Sequence, residues 1–176
     1  LELEPGIESM TAVELDEKRM LRVRENLARL NFEAELIVAD ASEDSWWDGK
    51  LFDRILVDAP CSSTGVIRRH PDIKVLRWEE DIKSLVGVQQ KILQQAWQML
   101  APGGKLLYVT CSVLRQENEA QIANLLATQN GVIELNLIEA GSSKPWGIAC
   151  KHGRQLLPGE NDTDGFYFCG LSKAEA

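Results

Sequence analysis

The chain has 176 residues, with 19 Lys and Arg against 27 Asp and Glu, for a net charge of −8. A hydrophobic fraction of 44% and a charged fraction of 26% are ordinary for a folded domain and exclude a disordered chain, while four cysteines are too few for a disulfide scaffold. The length predicts one domain spanning 1–176, no run reaches the ~18 apolar residues of a membrane span, and the acidic balance counts against a generally basic surface but not a local one.

Thr11–Leu15 is a short β-favouring run. Asp16 can cap a helix, because its carboxylate accepts from the unpaired amides of a first turn. Met20, Val23, Leu27 and Leu30 then recur at helical spacing, and Asn31 is a stop signal. Ala34–Ala39 reads as a strand running to Asp40, and Glu43–Lys50 as a loop. Phe52–Val57 is the next strand, running to Asp58. Ala59 to Trp78 is long and irregular. Leu85–Leu100 is an amphipathic helix with Leu85, Val88, Ile92, Ala96 and Met99 on one side. Ala101-Pro102-Gly103-Gly104 is a tight turn, and Lys105–Thr110 an apolar strand running to Cys111. Glu117–Thr128 is a helix on Ile122, Leu125 and Leu126. Val132–Ile138 is a strand, Glu139–Asp164 a loop and Gly165–Leu171 a last strand.

Alternating strands and helices predict an α/β fold, a mostly parallel sheet with helices on both faces. The last two strands, with no helix between them, are expected to pair antiparallel. Glu14, Asp40, Asp58 and Cys111 all fall at or just past the carboxyl ends of predicted strands, where open α/β sheets bind ligands. Any one acid there, taken alone, is usually a helix cap or turn former. Three acids and a cysteine in corresponding places point to a site. Glu14 suits ribose hydroxyls, and Asp40 a purine edge.

Two segments are more specific: Asp58-Ala59-Pro60-Cys61-Ser62-Ser63-Thr64-Gly65 and Tyr108-Val109-Thr110-Cys111-Ser112-Val113. Two cysteines in one cleft could hold a metal, but zinc needs three or four ligands, and His70 and His152 supply no standard spacing. No metal is expected. With Gly65-Val66-Ile67-Arg68-Arg69-His70-Pro71-Asp72-Ile73 after the first segment and Asp164-Gly165-Phe166-Tyr167 near the end, the chain resembles the RNA (cytosine-5) methyltransferases of the Sun/Fmu type, especially those acting on small-subunit ribosomal RNA. The resemblance runs from about Leu3 to Leu171.

The resemblance implies a Rossmann-like domain that uses S-adenosylmethionine. It implies that Cys111 is the nucleophile, Cys61 the cysteine that helps release product, and Asp58 the acid beside cofactor and base. Glu14 and Asp40 take the cofactor-binding positions. Arg68, Arg69, His70 and Lys74, with Arg77, form a basic patch expected to meet RNA. The bland alternative is a solvated loop held by acids such as Asp72 and Glu79. Trp46, Trp47, Trp97 and Trp146 are expected to pack rather than stack on bases, and Cys150 and Cys169 to be ordinary thiols. The setting is expected to be reducing and cytoplasmic.

The resemblance also implies a strand and a glycine-rich loop before Glu14 that the sequence does not carry. That strand would lie between those at Thr11–Leu15 and Phe52–Val57. Its absence is expected to leave an unpaired edge, closed within the chain or by a dimer. Two other readings stay open here. One is a non-catalytic fragment keeping only an RNA- or protein-contacting surface. The other is methylation of a different RNA, such as transfer RNA.

Overall fold

A computed structural model describes residues 6–138 and 146–175. The chain forms two compact units, Leu1–Asp48 and Gly49–Ala176.

The first unit holds β1 (Thr11–Glu14), α1 (Glu17–Leu30) and β2 (Glu35–Val38). β1 and β2 pair in parallel, with Glu14 opposite Val38. Asp16 caps α1 as expected: its Oδ1 accepts from Lys18 N at 2.7 Å and Arg19 N at 3.2 Å. Asn31 ends the helix in the left-handed conformation (φ 54°), and its N–H donates to Ala28 O. Met20 is the buried anchor of α1.

The second unit is a mixed sheet. β3 (Phe52–Asp58) runs parallel to β4 (Leu100–Thr110), and β4 pairs antiparallel with β8 (Phe166–Lys173). The other edge of β8 is shared. Its amino half pairs with β7 (Arg154–Leu156), and its carboxyl half with β5 (Val132–Leu135). The β5–β8 pairing is the antiparallel neighbourhood expected of the last two strands. β7 pairs in turn with β6 (Ile148–Ala149), a short hairpin inside a stretch read from sequence as loop. The part of that stretch at 139–145 lies outside the described residues. The α/β class holds, and the antiparallel pairings around β8 make this sheet mixed rather than mostly parallel.

The predicted turn at Ala101–Gly104 is an excursion inside β4. Pairing with β3 jumps from Phe52↔Leu100 to Arg54↔Lys105. A Cβ on Gly104 would stand 2.7 Å from Ala101 O, so the excursion requires glycine there.

Within the irregular stretch after β3 lies α2 (Ile73–Leu76). α3 (Glu79–Met99) starts six residues before the predicted Leu85. Its first turn is Glu79-Glu80-Asp81, and Asp81 Oδ2 accepts from Trp78 N at 3.0 Å. Acids favour a helix N-terminus, and the apolar periodicity used to read the sequence does not see them. The buried face also differs. Val88 is exposed, whereas Gln89 is fully buried beside Leu93, Ala96 and Trp97. α4 (Glu119–Thr128) buries Ile122 and Leu125 as expected. These helices cover a core that includes Val57, Leu106, Tyr108, Tyr167 and Leu171. The core surrounds β4 and β8, so the segments leaving β3 and β4 start from rigid strands.

Among the described residues, β1 pairs with β2 alone and β3 with β4 alone, leaving a free edge on each of two separate sheets. Among the described residues, no helix is long and apolar enough to cross a membrane. Replacing the cap, Asp16→Ala, is expected to cost the first unit about 1 kcal/mol. Hydrogen exchange should quicken at Lys18 to Met20 and leave β4 and β8 unchanged.

Candidate active site

In the first unit, Glu14 and Asp40 sit at the carboxyl ends of a parallel pair. Ala39 N donates to Glu14 O at 3.1 Å, which places the two strand ends side by side. Glu14 Oε1 accepts from Asp16 N at 2.9 Å, and Asp40 Oδ1 from Ser42 N at 2.8 Å. Both residues are half-buried. They offer carboxylate oxygens at the end of a parallel sheet, as donors such as ribose hydroxyls and an adenine amino group require.

In the second unit, β3 ends at Asp58 and β4 at Thr110, and the two cysteine loops leave from these neighbouring ends. Ala59 N donates to Val109 O at 3.0 Å and Gly65 N to Cys111 O at 2.9 Å. Cys61 Sγ and Cys111 Sγ lie 3.4 Å apart. Two cysteines 50 residues apart in sequence thus share a hydrogen bond, and both are half-buried free thiols.

The loop contact depends on two glycines. Gly165 N donates to Gly65 O at 2.8 Å. A Cβ on Gly65 would stand 2.0 Å from Gly165 O, so no other residue fits while the backbones stay in place. Ser63, between Cys61 and Gly65, holds the left-handed conformation (φ 61°), unusual for a non-glycine residue.

The thiols differ in acidity. Cys111 is lowered from 9.0 to about 6, chiefly because the Cys61 thiol hydrogen-bonds its sulfur. Ser63, whose Oγ is 3.6 Å away, lowers it further, while burial and the Asp58 charge oppose. Cys61 is pushed well up, first by the same hydrogen bond and then by burial. Cys111 is therefore the thiolate near neutrality, and Cys61 holds a proton.

The basic patch is partly neutralised within the chain. Arg68 pairs with Asp162 at 3.6 Å and Arg69 with Asp164 at 2.6 Å, rather than with Asp72 or Glu79. Arg77 Nε donates to Ser62 O at 3.0 Å, so this side chain braces the Cys61 loop. His70 and Lys74 are exposed. Trp97 is buried, and Trp146 stacks edge-on against Phe168 at 5.4 Å with Arg154 over its ring, as expected of packing residues. Cys169 is buried and Cys150 half-buried. Among the described residues, no group of three or more His, Cys, Asp or Glu could hold a metal ion.

Sequence reading missed the polar residues behind the thiols. Glu117 is fully buried and accepts from Ser62 and Gln89, and Asn118 and Gln155 both donate to Ser112 O. An acid at the first position of a predicted helix looks like an ordinary N-terminal residue, and only its position between the two loops shows otherwise.

A family model described as 16S rRNA methyltransferase RsmB/F matches residues 1–172. The chain is 50% identical over 177 residues to a ribosomal RNA small subunit methyltransferase B of Pseudomonas syringae, covering 100% of the chain and 40% of that relative. It is 52% identical to the protein of that name from Pseudomonas putida, covering 100% of the chain and 39% of the relative. The chain thus spans about two fifths of the length of these relatives. Among solved structures, a methyltransferase homologue from Pyrococcus horikoshii is 31% identical with a TM-score of 0.75, over 94% of this chain and 53% of that one. NSun6 from Pyrococcus horikoshii is 26% identical with a TM-score of 0.82, over 99% of this chain and 44% of that one.

Alkylation by iodoacetamide should reach Cys111 before Cys61. Its rate should rise as pH increases through about 6 and level off above, because the thiolate is the reacting form. Peptide mapping of the labelled chain checks both the site and the profile.

Proposed function

The chain belongs to the 16S rRNA methyltransferase RsmB/F family, and from that premise we propose that it carries the reacting thiols for methyl transfer from S-adenosylmethionine to carbon 5 of a cytosine in small-subunit ribosomal RNA. The observation that carries this reading is the 3.4 Å Cys61–Cys111 contact, with Cys111 as the more acidic thiol.

Carbon 5 of cytosine is a weak nucleophile. The Cys111 thiolate adds to carbon 6, forming an S–C bond and driving the C5–C6 electron pair into the ring, so that carbon 5 becomes enamine-like. A carboxyl at Asp58 hydrogen-bonds ring nitrogen 3 and the exocyclic amine, which favours the addition. When bound, the cofactor supplies an electrophilic methyl group on a sulfonium. Glu14 accepts from its ribose hydroxyls, and Asp40 from its adenine edge. After transfer, a water beside Cys61, or Cys61 itself once its own proton has passed to solvent, removes the carbon 5 proton. That electron pair restores the C5–C6 double bond and expels the Cys111 sulfur. The reacting cytosine must leave its stack to be reached from both faces.

Arg68, Arg69, His70 and Lys74 contact RNA phosphates in this reading, with Arg68 and Arg69 exchanging Asp162 and Asp164 for phosphate oxygens. A ribosomal RNA substrate implies a cytoplasmic setting. The β3 edge that β4 does not occupy, with its unpaired backbone groups, is the surface on which a second copy would pair. Sedimentation reports that dimer directly, and a strict monomer rejects it.

Calorimetric titration with S-adenosylmethionine should show binding that weakens at least about tenfold in Glu14→Ala, the effect of losing a charge-assisted hydrogen bond. In transfer assays on ribosomal RNA, Cys111→Ala should abolish turnover. Cys61→Ala should accumulate an RNA-linked protein band that survives denaturing electrophoresis. Normal turnover by Cys111→Ala would overturn the assignment.

A further inference from the structure

Glu117 has no exposed surface. Its Oε1 accepts from Ser62 N at 2.8 Å and Gln89 Nε2 at 3.0 Å. Its Oε2 accepts from Ser62 Oγ at 2.6 Å and from Ser112 Oγ. Ser62 directly follows Cys61, and Ser112 directly follows Cys111. One buried carboxylate therefore receives hydrogen bonds from both thiol loops. The carbonyls of the same serines are held too. Arg77 Nε donates to Ser62 O, and Asn118 Nδ2 donates to Ser112 O at 2.9 Å.

We propose that Glu117 is a positioning residue, whose two carboxylate oxygens set the separation of Cys61 and Cys111. The functional meaning of this inference rests on the reading of Cys111 as nucleophile. An apolar contact between the loops would hold them together with less desolvation cost, but without directional control. Four donors converging on two oxygens define distance and angle together. A sulfur–sulfur hydrogen bond is weak and loses its effect within a fraction of an ångström, so it needs such support from the adjacent residues.

Cys111 responds to this geometry because the thiol of Cys61 is the main influence lowering it. Ser63 faces the same sulfur and acts in the same direction. Asp58 faces it and opposes, as does burial. The Glu117 charge itself acts on Cys61 and Tyr108, raising both. A positioning role and a plain charge effect therefore separate cleanly. Glu117→Asp keeps the charge and withdraws the oxygens by one methylene. Glu117→Gln keeps the reach and replaces one acceptor oxygen by a donor.

The test uses the full chain without RNA or cofactor, so it stands or falls independently of the transfer assays. The first readout is the titration of Cys111, followed by alkylation against pH. The second is the rate at which hydrogen peroxide joins Cys61 and Cys111, two thiols losing two electrons and two protons to form a disulfide while peroxide becomes two waters. In both variants the Cys111 titration should move up by about one pH unit or more, and disulfide formation should slow about tenfold. Should either variant fail to fold, Ser112→Ala removes the hydroxyl through which the Cys111 loop reaches the carboxylate and should shift both readouts in the same direction. A folded Glu117→Asp or Ser112→Ala protein with both readouts unchanged overturns the proposal. A shift in Glu117→Gln alone, with Glu117→Asp like the parent, assigns the effect to charge and overturns it equally.

Discussion

A carboxylate withdrawn from water must have its oxygens hydrogen-bonded, because an unsatisfied buried charge costs more than any single contact returns. Glu117 meets that demand by drawing donors from three parts of the chain: the loop after β3, the loop after β4 and Gln89 of α3. The demand spreads outward. Gln89 also donates to Pro60 O and accepts from Gln121 of α4. Tyr108, buried in β4, donates its hydroxyl to Glu117 O at 2.8 Å. The apolar core and the thiol loops are thus joined through one polar centre. This is why α3 turns an amide rather than Val88 toward the interior.

The second constraint is steric. Gly65 and Gly165 let two backbones approach where any side chain would intrude, and the resulting ladder runs from Gly165 through Gly65 to Cys111 O. The segment before β8 is thereby tied to the loop after β3. The ion pairs from Arg68 and Arg69 to Asp162 and Asp164 follow the same approach. The exposed Arg68–Asp162 pair contributes little stability and is suited to partner exchange, whereas Asp164 holds Arg69 from a half-buried position.

The chain is acidic overall, and Asp58 stands near Cys111, yet Cys111 is the more acidic thiol. Local hydrogen bonding outweighs the opposing field and burial. A donor in direct contact acts on the thiolate specifically, whereas a neighbouring charge is weakened by the solvent that reaches a half-buried site. The arrangement divides labour between chemically identical residues: one sulfur carries the negative charge and the other the proton.

Much of this was legible in residue order. The strand ends at Glu14, Asp58 and Thr110, the Asp16 cap and the Asn31 stop rest on local preferences that neighbouring sequence states directly. The cysteine segments stood out by their places just past strand ends and by their resemblance to a known family. The β6–β7 hairpin was not legible, since strands of two and three residues carry no periodicity. The early start of α3 was hidden by charges that mark a helix end rather than an apolar face.

By itself the sequence determined the α/β class and the order of most elements, because these depend on local periodicity and turn chemistry. Tertiary structure alone decided that the cysteines share a hydrogen bond, that Arg77 braces a loop, and that Glu117 is interior. Those facts depend on residues tens of positions apart meeting at fixed distances. Only the packing of β3, β4, α3 and α4 around one core sets such distances.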